Sequence, residues 1–158
     1  RLVKLLNILF SEFDRLSLEF GLEKIKTIGD AYMVAGGLTD RSLDHPSAAA
    51  QMALGMIDAS RSTSELLGLP LQLRIGIHTG PAVAGIIGTH RFIYDVWGDT
   101  VNTASRMESH GVPGEINVTE AFYQRLRDRF DFEPRGTIEV TGKGAMQVYF
   151  LRGARREQ

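Results

Sequence analysis

Cysteine is absent from this chain of 158 residues, which excludes disulfides, thiolate metal sites and cysteine nucleophiles together. The same absence suits a reducing compartment. Long apolar runs are also missing, since the stretches at 31–38 and 82–87 are far too short to span a bilayer. Charge of one sign is missing as well: 18 basic residues face 19 acidic ones, for a formal net charge of −1. A nucleic-acid binder is expected to carry a concentrated positive stripe, and the short basic tail at Arg152, Arg155 and Arg156 reads instead as a solvated end. No nucleic-acid partner is therefore expected. What remains is ordinary globular material, 43% hydrophobic and 23% charged, at a length that fits one domain.

Leu2, Leu6, Leu9, Phe13, Leu16 and Phe20 recur at alternating spacings of four and three, which predicts a helix with one apolar face ended by Gly21. Two strand-like runs, 22–28 and 31–35, meet at Gly29-Asp30, a tight-hairpin signal. Asp44, His45 and Pro46 start a second helix whose buried face is Ala49, Met52, Ala53, Met56 and Ile57, and Gly68 and Pro70 stop it. Leu71, Leu73, Ile75 and Ile77 alternate with polar residues and glycine and predict a half-buried strand. Runs 82–87 and 91–97 are further strands, and Asp99 is placed to cap a helix reaching Ser109. A short strand at 116–118, a helix over 119–129 and terminal strands near 137–140 and 147–151 complete the pattern. Strands and helices alternate with hairpins instead of uniform crossovers, which implies an α+β sandwich and argues against a doubly wound parallel sheet.

Three places offer chemistry, each with a plain alternative. Asp30 at a hairpin tip is either a turn residue or one of the one or two carboxylates that magnesium takes alongside nucleotide phosphates. Asn102 and Arg106, four apart on one helix, form either a solvated polar face or a pair suited to ribose positioning and phosphate neutralisation. Lys143, between Gly142 and Gly144, is either a turn residue or a mobile charge for phosphate; the spacing is not that of a Walker loop. His45, His78, His90 and His110 lack metal-ligand spacing and take structural or surface roles.

The order of these signals carries more than any one of them. Glu23-Lys24-Ile25-Lys26-Thr27-Ile28-Gly29-Asp30-Ala31-Tyr32-Met33 resembles the hairpin of class III adenylyl cyclases. Tyr94-Asp95-Val96-Trp97-Gly98-Asp99-Thr100-Val101-Asn102-Thr103-Ala104-Ser105-Arg106-Met107 resembles the second signature of that family. Stretches 73–88 and 141–144 match too, so the resemblance runs in order over essentially the whole chain, and its flavour is that of bacterial cyclases of the mycobacterial, mammalian-like type. It implies a ferredoxin-like sandwich with an antiparallel-rich sheet and flanking helices, 1–158 being a single catalytic domain. It also implies a head-to-tail homodimer whose active sites draw on both copies. One chain holds both the metal-side Asp30 and the base-side Lys26, Asp95, Asn102 and Arg106, as a homodimer needs.

By the same resemblance Asp30 binds metal, Mg²⁺ or Mn²⁺ with two ions per site, while Lys26 and Asp95 recognise adenine. Lysine donates to ring N1 and aspartate accepts from the exocyclic amine, whereas guanylyl enzymes typically place glutamate and cysteine there. Asn102 holds the ribose, Arg106 stabilises charge growing on the α-phosphate, and Lys143 contacts the polyphosphate. The expected reaction converts ATP to cyclic AMP and pyrophosphate in a cytoplasmic catalytic domain, with any membrane attachment coming from upstream segments. A guanylyl cyclase and a degenerate ATP-binding regulatory domain are the rivals. Two departures stand out. The family's first strand, with its Phe-x-Asp-Ile-x-Gly-Phe-Thr-like segment and second metal aspartate, has no counterpart, so 1–158 alone is expected to be truncated at its N-terminal side and inactive or nearly so. His90-Arg91 stands where relatives often carry a basic pair.

Overall fold

A computed structural model describes residues 2–38, 44–87 and 93–156 of the chain; His90 and Arg91 lie outside the described residues. The elements are α1 (Leu2–Phe20), β1 (Glu23–Ile28), β2 (Ala31–Ala35), α2 (His45–Leu67), β3 (Ile75–Ile77), β4 (Val83–Ile87), β5 (Ile93–Trp97), α3 (Asp99–Ser109), β6 (Ile116–Thr119), α4 (Glu120–Leu126), β7 (Phe130–Val140) and β8 (Gly144–Ala154). They fall into two compact units, Arg1–Leu71 with Ala84–Val96, and Gln72–Val83 with Trp97–Gln158.

In the first unit α1 packs on α2 and β1. Among the described residues Leu5, Leu9, Phe13 and Leu16 are its buried apolar side chains, with Ser17 buried beside them, so Leu5 joins the core where the periodicity puts Leu6, which is half-buried. Each fully buried side chain of this kind contributes about 1.5–3 kcal/mol. Asp44 caps α2, accepting from the Ser47 hydroxyl at 3.0 Å, and Gly68 ends the helix, as the sequence predicts. Met52 and Ala53 are buried on α2 as expected, but Ala48 and Ala50 join them while Met56 and Ile57 are only half-buried. β1 and β2 pair antiparallel around the Gly29-Asp30 turn, with Ile28 opposite Ala31. The Tyr32 ring sits against Phe10 and Phe13, with centroids 5.3 and 5.5 Å away, and its hydroxyl donates to Asp14 at 2.6 Å. Those contacts fix the hairpin to α1.

The second unit is built on a four-stranded sheet in the order β3-β6-β8-β7. β3 and β6 run parallel, whereas β6–β8 and β7–β8 are antiparallel, which is the antiparallel-rich α+β arrangement expected. Strand β3 is shorter than the alternation at 71–77 implies, because pairing with the next strand starts only where Gly114 donates to Leu73 and Ile75 to Glu115. Conversely β7 and β8 are 11 residues each, far longer than the stretches 137–140 and 147–151. Pro134 and Gly136 read as strand breakers, yet β7 is an edge strand and absorbs them in a register shift. The helix expected over 119–129 is cut to Glu120–Leu126, with Thr119 as its N-cap and 127–129 in a turn. Asp99 does not cap α3: Gly98 holds that position and makes no side-chain cap bond, so Asp99 is the first helical residue. There a carboxylate favours the helix dipole.

Candidate functional site

The strand β1 carries a bulge at Ile25, where the register against β2 shifts between Lys24 and Lys26. A bulge re-aims the side chains beyond it. Lys26 then reaches Asp95 on β5, 69 residues away in sequence, at 2.8 Å from Nζ to Oδ2. The other oxygen of Asp95 accepts from the Val96 backbone N–H at 2.8 Å. The Lys26 bond first, then the Val96 amide, hold the Asp95 carboxyl below its ordinary range. Its side chain is 17% exposed and that of Lys26 35%, so the pair is sheltered but still reachable from solvent. An ammonium has three N–H donors and a carboxylate about four acceptor sites, so both partners keep valence free while paired. The pair therefore presents one donor and one acceptor side by side.

Asp30 lies exposed at the β1–β2 turn. Among the described residues no three His, Cys, Asp or Glu side chains converge on a point that could hold a metal ion. The chemistry still fits a nucleotide-bound divalent ion, since Mg²⁺ is commonly held by one or two carboxylates plus phosphate oxygens and water. In that arrangement Asp30 is the ligand these residues supply.

In the second unit, Asn102 and Arg106 share one face of α3 and are both exposed. That helix is held firmly at its C-terminal end. Asn117, fully buried in β6, donates to the Met107 carbonyl at 3.0 Å, and Arg135 bridges the His110 carbonyl at 2.7 Å and the Asn117 side-chain oxygen at 3.1 Å. Lys143 occupies the turn between β7 and β8, flanked by Gly142 and Gly144 at φ of 77° and 80°, a conformation that favours glycine. Its ammonium is ion-paired with Asp99 at the start of α3. His78 is half-buried with Nδ1 2.7 Å from the Thr119 hydroxyl, and burial pushes its pKa down, so it stays neutral in a structural role.

Of the residues singled out in the sequence, Lys26 meets Asp95 in one unit and Lys143 meets Asp99 on the helix of Asn102 and Arg106 in the other, while Asp30 stands exposed at the first unit's hairpin turn. Asn117, Arg135 and His110, which hold α3 and the Lys143 turn, were not singled out for function. One signal for them exists: an asparagine inside the apolar run Ile116-Asn117-Val118 demands a buried hydrogen-bond partner.

Comparison with known proteins supplies the chemical context. The family described as the adenylate and guanylate cyclase catalytic domain matches residues 1–153. An adenylate cyclase of Mycobacterium tuberculosis is 48% identical over 152 residues, covering 96% of this chain and 34% of the relative. The human guanylate cyclase soluble subunit beta-2 is 47% identical over 153 residues, covering 96% of this chain and 25% of that protein. The chain thus spans about a third or less of these relatives' length. Among solved structures, the guanylate cyclase domain of RhGC from Catenaria anguillulae, in complex with GTP, superposes with a TM-score of 0.89 at 37% identity, covering 95% of this chain and 82% of that one.

Proposed function

The chain belongs to the adenylate and guanylate cyclase catalytic domain family, and within it we propose an adenylyl cyclase, converting ATP to 3′,5′-cyclic AMP and pyrophosphate. The observation that carries the base choice is the Lys26–Asp95 pair, 2.8 Å apart. Adenine offers an acceptor at N1 and a donor at its exocyclic amine, which a lysine and an aspartate side by side complement. Guanine reverses both, meeting donor with donor and acceptor with acceptor. A mismatched buried polar group costs more than a matched one gains, so the pair selects mainly by rejection.

The remaining residues divide the reaction among themselves. Asn102 holds the ribose so that its 3′-oxygen faces the α-phosphorus. That oxygen forms the new P–O bond as the bond to pyrophosphate breaks, and the 3′-hydroxyl proton leaves to solvent. Arg106 stabilises the negative charge that grows on the α-phosphate oxygens, a preorganised electrostatic role. Lys143 exchanges Asp99 for the polyphosphate, trading one charged partner for another. Asp30 holds the divalent cations, Mg²⁺ or Mn²⁺, which when bound neutralise phosphate charge and acidify the 3′-hydroxyl. We take 1–158 as one catalytic domain that works as a head-to-tail homodimer, each site combining Asp30 of one copy with the base-side residues of the other.

The test is direct. The full-length protein is incubated with ATP or with GTP, with Mn²⁺ or Mg²⁺ present, and the cyclic product is quantified by mass spectrometry. Cyclic AMP should exceed cyclic GMP by tenfold or more, in line with about 1.4 kcal/mol of base discrimination. Equal or greater cyclic GMP would make the protein a guanylyl cyclase, as the human relative's similarity allows. Bound ATP without cyclic product would make it a regulatory domain.

A further inference from the structure

We propose that His110 is a positioning residue that locks the Lys143 turn to α3, so that the phosphate-binding lysine and the face bearing Asn102 and Arg106 hold one geometry. This rests on the cyclase reading for its functional meaning, but the anchoring is a matter of geometry. His110 caps the C-terminus of α3, its backbone N–H donating to the Arg106 carbonyl at 2.9 Å. Its own carbonyl accepts from Arg135, which is tied in turn to the buried Asn117. With its backbone gripped on both sides, the imidazole points at the turn between β7 and β8. Nε2 accepts the Thr141 backbone N–H at 3.2 Å and lies 3.1 Å from the Thr141 hydroxyl. Accepting that N–H requires Nε2 to be the unprotonated ring nitrogen.

The β7–β8 ladder runs up to Val140 opposite Gly144, and the three-residue turn beyond it adds the backbone bond from Lys143 N–H to the Val140 carbonyl at 2.9 Å, with glycines at positive φ on either side of the lysine. Glycine loses more conformational freedom on folding than any other residue, so the lysine between two of them gains from contacts outside the turn that hold it. Two contacts do, at opposite ends of the same helix: the Lys143 ammonium on Asp99 at the start of α3, and Thr141 on His110 just past its end. The turn is thus tied to both ends of α3, and Asn102 and Arg106 lie between those two tie points along the helix sequence. When Lys143 leaves Asp99 for a phosphate, the first anchor is given up. The His110–Thr141 contact remains, and it keeps the turn that carries the lysine tied to α3 while the substrate is held.

A double-mutant cycle in the full-length protein tests this. His110→Ala should raise KM for ATP about three- to tenfold, the size of one lost hydrogen bond, with kcat changed less than about twofold. In the Lys143→Ala background it should have no further effect, because a residue acting only through Lys143 has nothing left to position. His110→Gln, whose Oε1 reaches the place of Nε2 and accepts, should restore most of the wild-type KM. His110→Phe, which keeps the ring without the acceptor, should behave as the alanine variant and replaces it if that variant fails to fold. Independently of catalysis, hydrogen exchange of the Thr141 amide in nucleotide-free protein should speed up in His110→Ala and stay slow in His110→Gln. Unchanged Thr141 exchange would overturn the anchor whether or not the protein cyclises anything. Faster exchange with a KM effect that persists in the Lys143→Ala background would overturn the positioning role alone. A cyclase whose KM ignores Lys143→Ala would remove the Lys143 assignment and this role with it, leaving the ATP reading intact.

Discussion

At the scale of single residues, the Lys26–Asp95 pair, proposed to read the base, makes the sharpest demand. Asp95 is held ionised by the Lys26 ammonium and the Val96 amide, so its carboxyl titrates below the ordinary value of 3.8. A depressed folded-state pKa stabilises the fold above the ordinary carboxylate range, and that stabilisation is lost as pH falls through the lower native value. Around neutrality the Asp95 carboxylate stays ionised, so the proposed selection of the base by Asp95 is expected to be flat with pH there. Removing the acceptor is the informative change. Asp95→Ala should lower kcat/KM for ATP by about tenfold or more, as a charge-assisted hydrogen bond is lost, and lower it less for GTP, so that the ATP-to-GTP ratio shrinks. Parallel steady-state kinetics with the two nucleotides read this out. An unchanged ratio would mean that the pair is a structural ion pair and the base is read elsewhere. Lys26 and Asp95 could be named in the sequence only through the family resemblance, for nothing in the spacing of 69 positions announces that they meet. Long-range contacts across strands leave no local trace, whereas a four-residue separation on a helix does. That is why the shared face of Asn102 and Arg106 was plain from the sequence by itself.

At the scale of elements, the junction of β3 with α3 is where packing leaves least room. Gly76 sits in the middle of β3, and a Cβ added there would lie 2.1 Å from the Glu108 backbone nitrogen and 2.5 Å from the Met107 carbonyl carbon. Both are backbone atoms of the last turn of α3, unable to swing aside as a side-chain tip would. Gly76→Ala must therefore push helix and strand apart, at a cost of about 1–3 kcal/mol or more on the scale of overpacked cores. Urea unfolding should show a lower midpoint, and since α3 carries Asn102 and Arg106, turnover should fall as well. A variant as stable as the parent would mean that the helix end gives way more easily than its contacts imply. The need for glycine here was invisible in the alternation of residues 71–77, because a period-two pattern reports which side chains are buried and says nothing of how near another backbone comes. The start of α2 was more legible, since Asp44 followed by Pro46 is a local signal with a local mechanism, whereas the cap expected at Asp99 fell on Gly98. The long β7–β8 ribbon was half hidden for the converse reason, since Pro134 and Gly136 carry strong local signals that pairing along an edge strand overrides.

At the scale of the whole molecule, the chain carries near-balanced charge, and no helix among the described residues is long and apolar enough to cross a membrane. Neither fact speaks to how copies assemble, and the proposed homodimer is tested by complementation. Asp30 belongs to one compact unit with Lys26 and Asp95, and Asn102, Arg106 and Lys143 belong to the other. If each active site takes its metal ligand from one copy and its base-side residues from the second, two different lesions placed in different copies should spare one site in a mixed dimer. Asp30→Ala and Arg106→Ala should each be nearly inactive alone, the latter by roughly a hundredfold as for loss of one transition-state donor. Mixed in equal amounts and allowed to exchange, half of the randomly formed dimers pair one variant with the other. Each of those carries one site with its intact Asp30 from the Arg106→Ala copy and its intact Arg106 from the Asp30→Ala copy. Turnover should therefore recover to about a quarter of the wild-type value, as expected for random pairing into two-fold symmetric dimers with two equivalent sites. The double variant Asp30→Ala with Arg106→Ala, mixed in equal amounts with wild type, provides the control: if sites are shared between copies, both sites of each mixed dimer hold one damaged half, and turnover stays at the quarter supplied by the wild-type dimers, whereas a chain using only its own residues would keep one intact site per mixed dimer and raise turnover to about a half. About a quarter of wild-type turnover in the first mixture, with no more than a quarter in the second, would establish sites shared between copies. If the first mixture stayed inactive while sizing showed that the copies exchange, each chain would be working with its own Asp30 and Arg106, and the head-to-tail assignment would be abandoned.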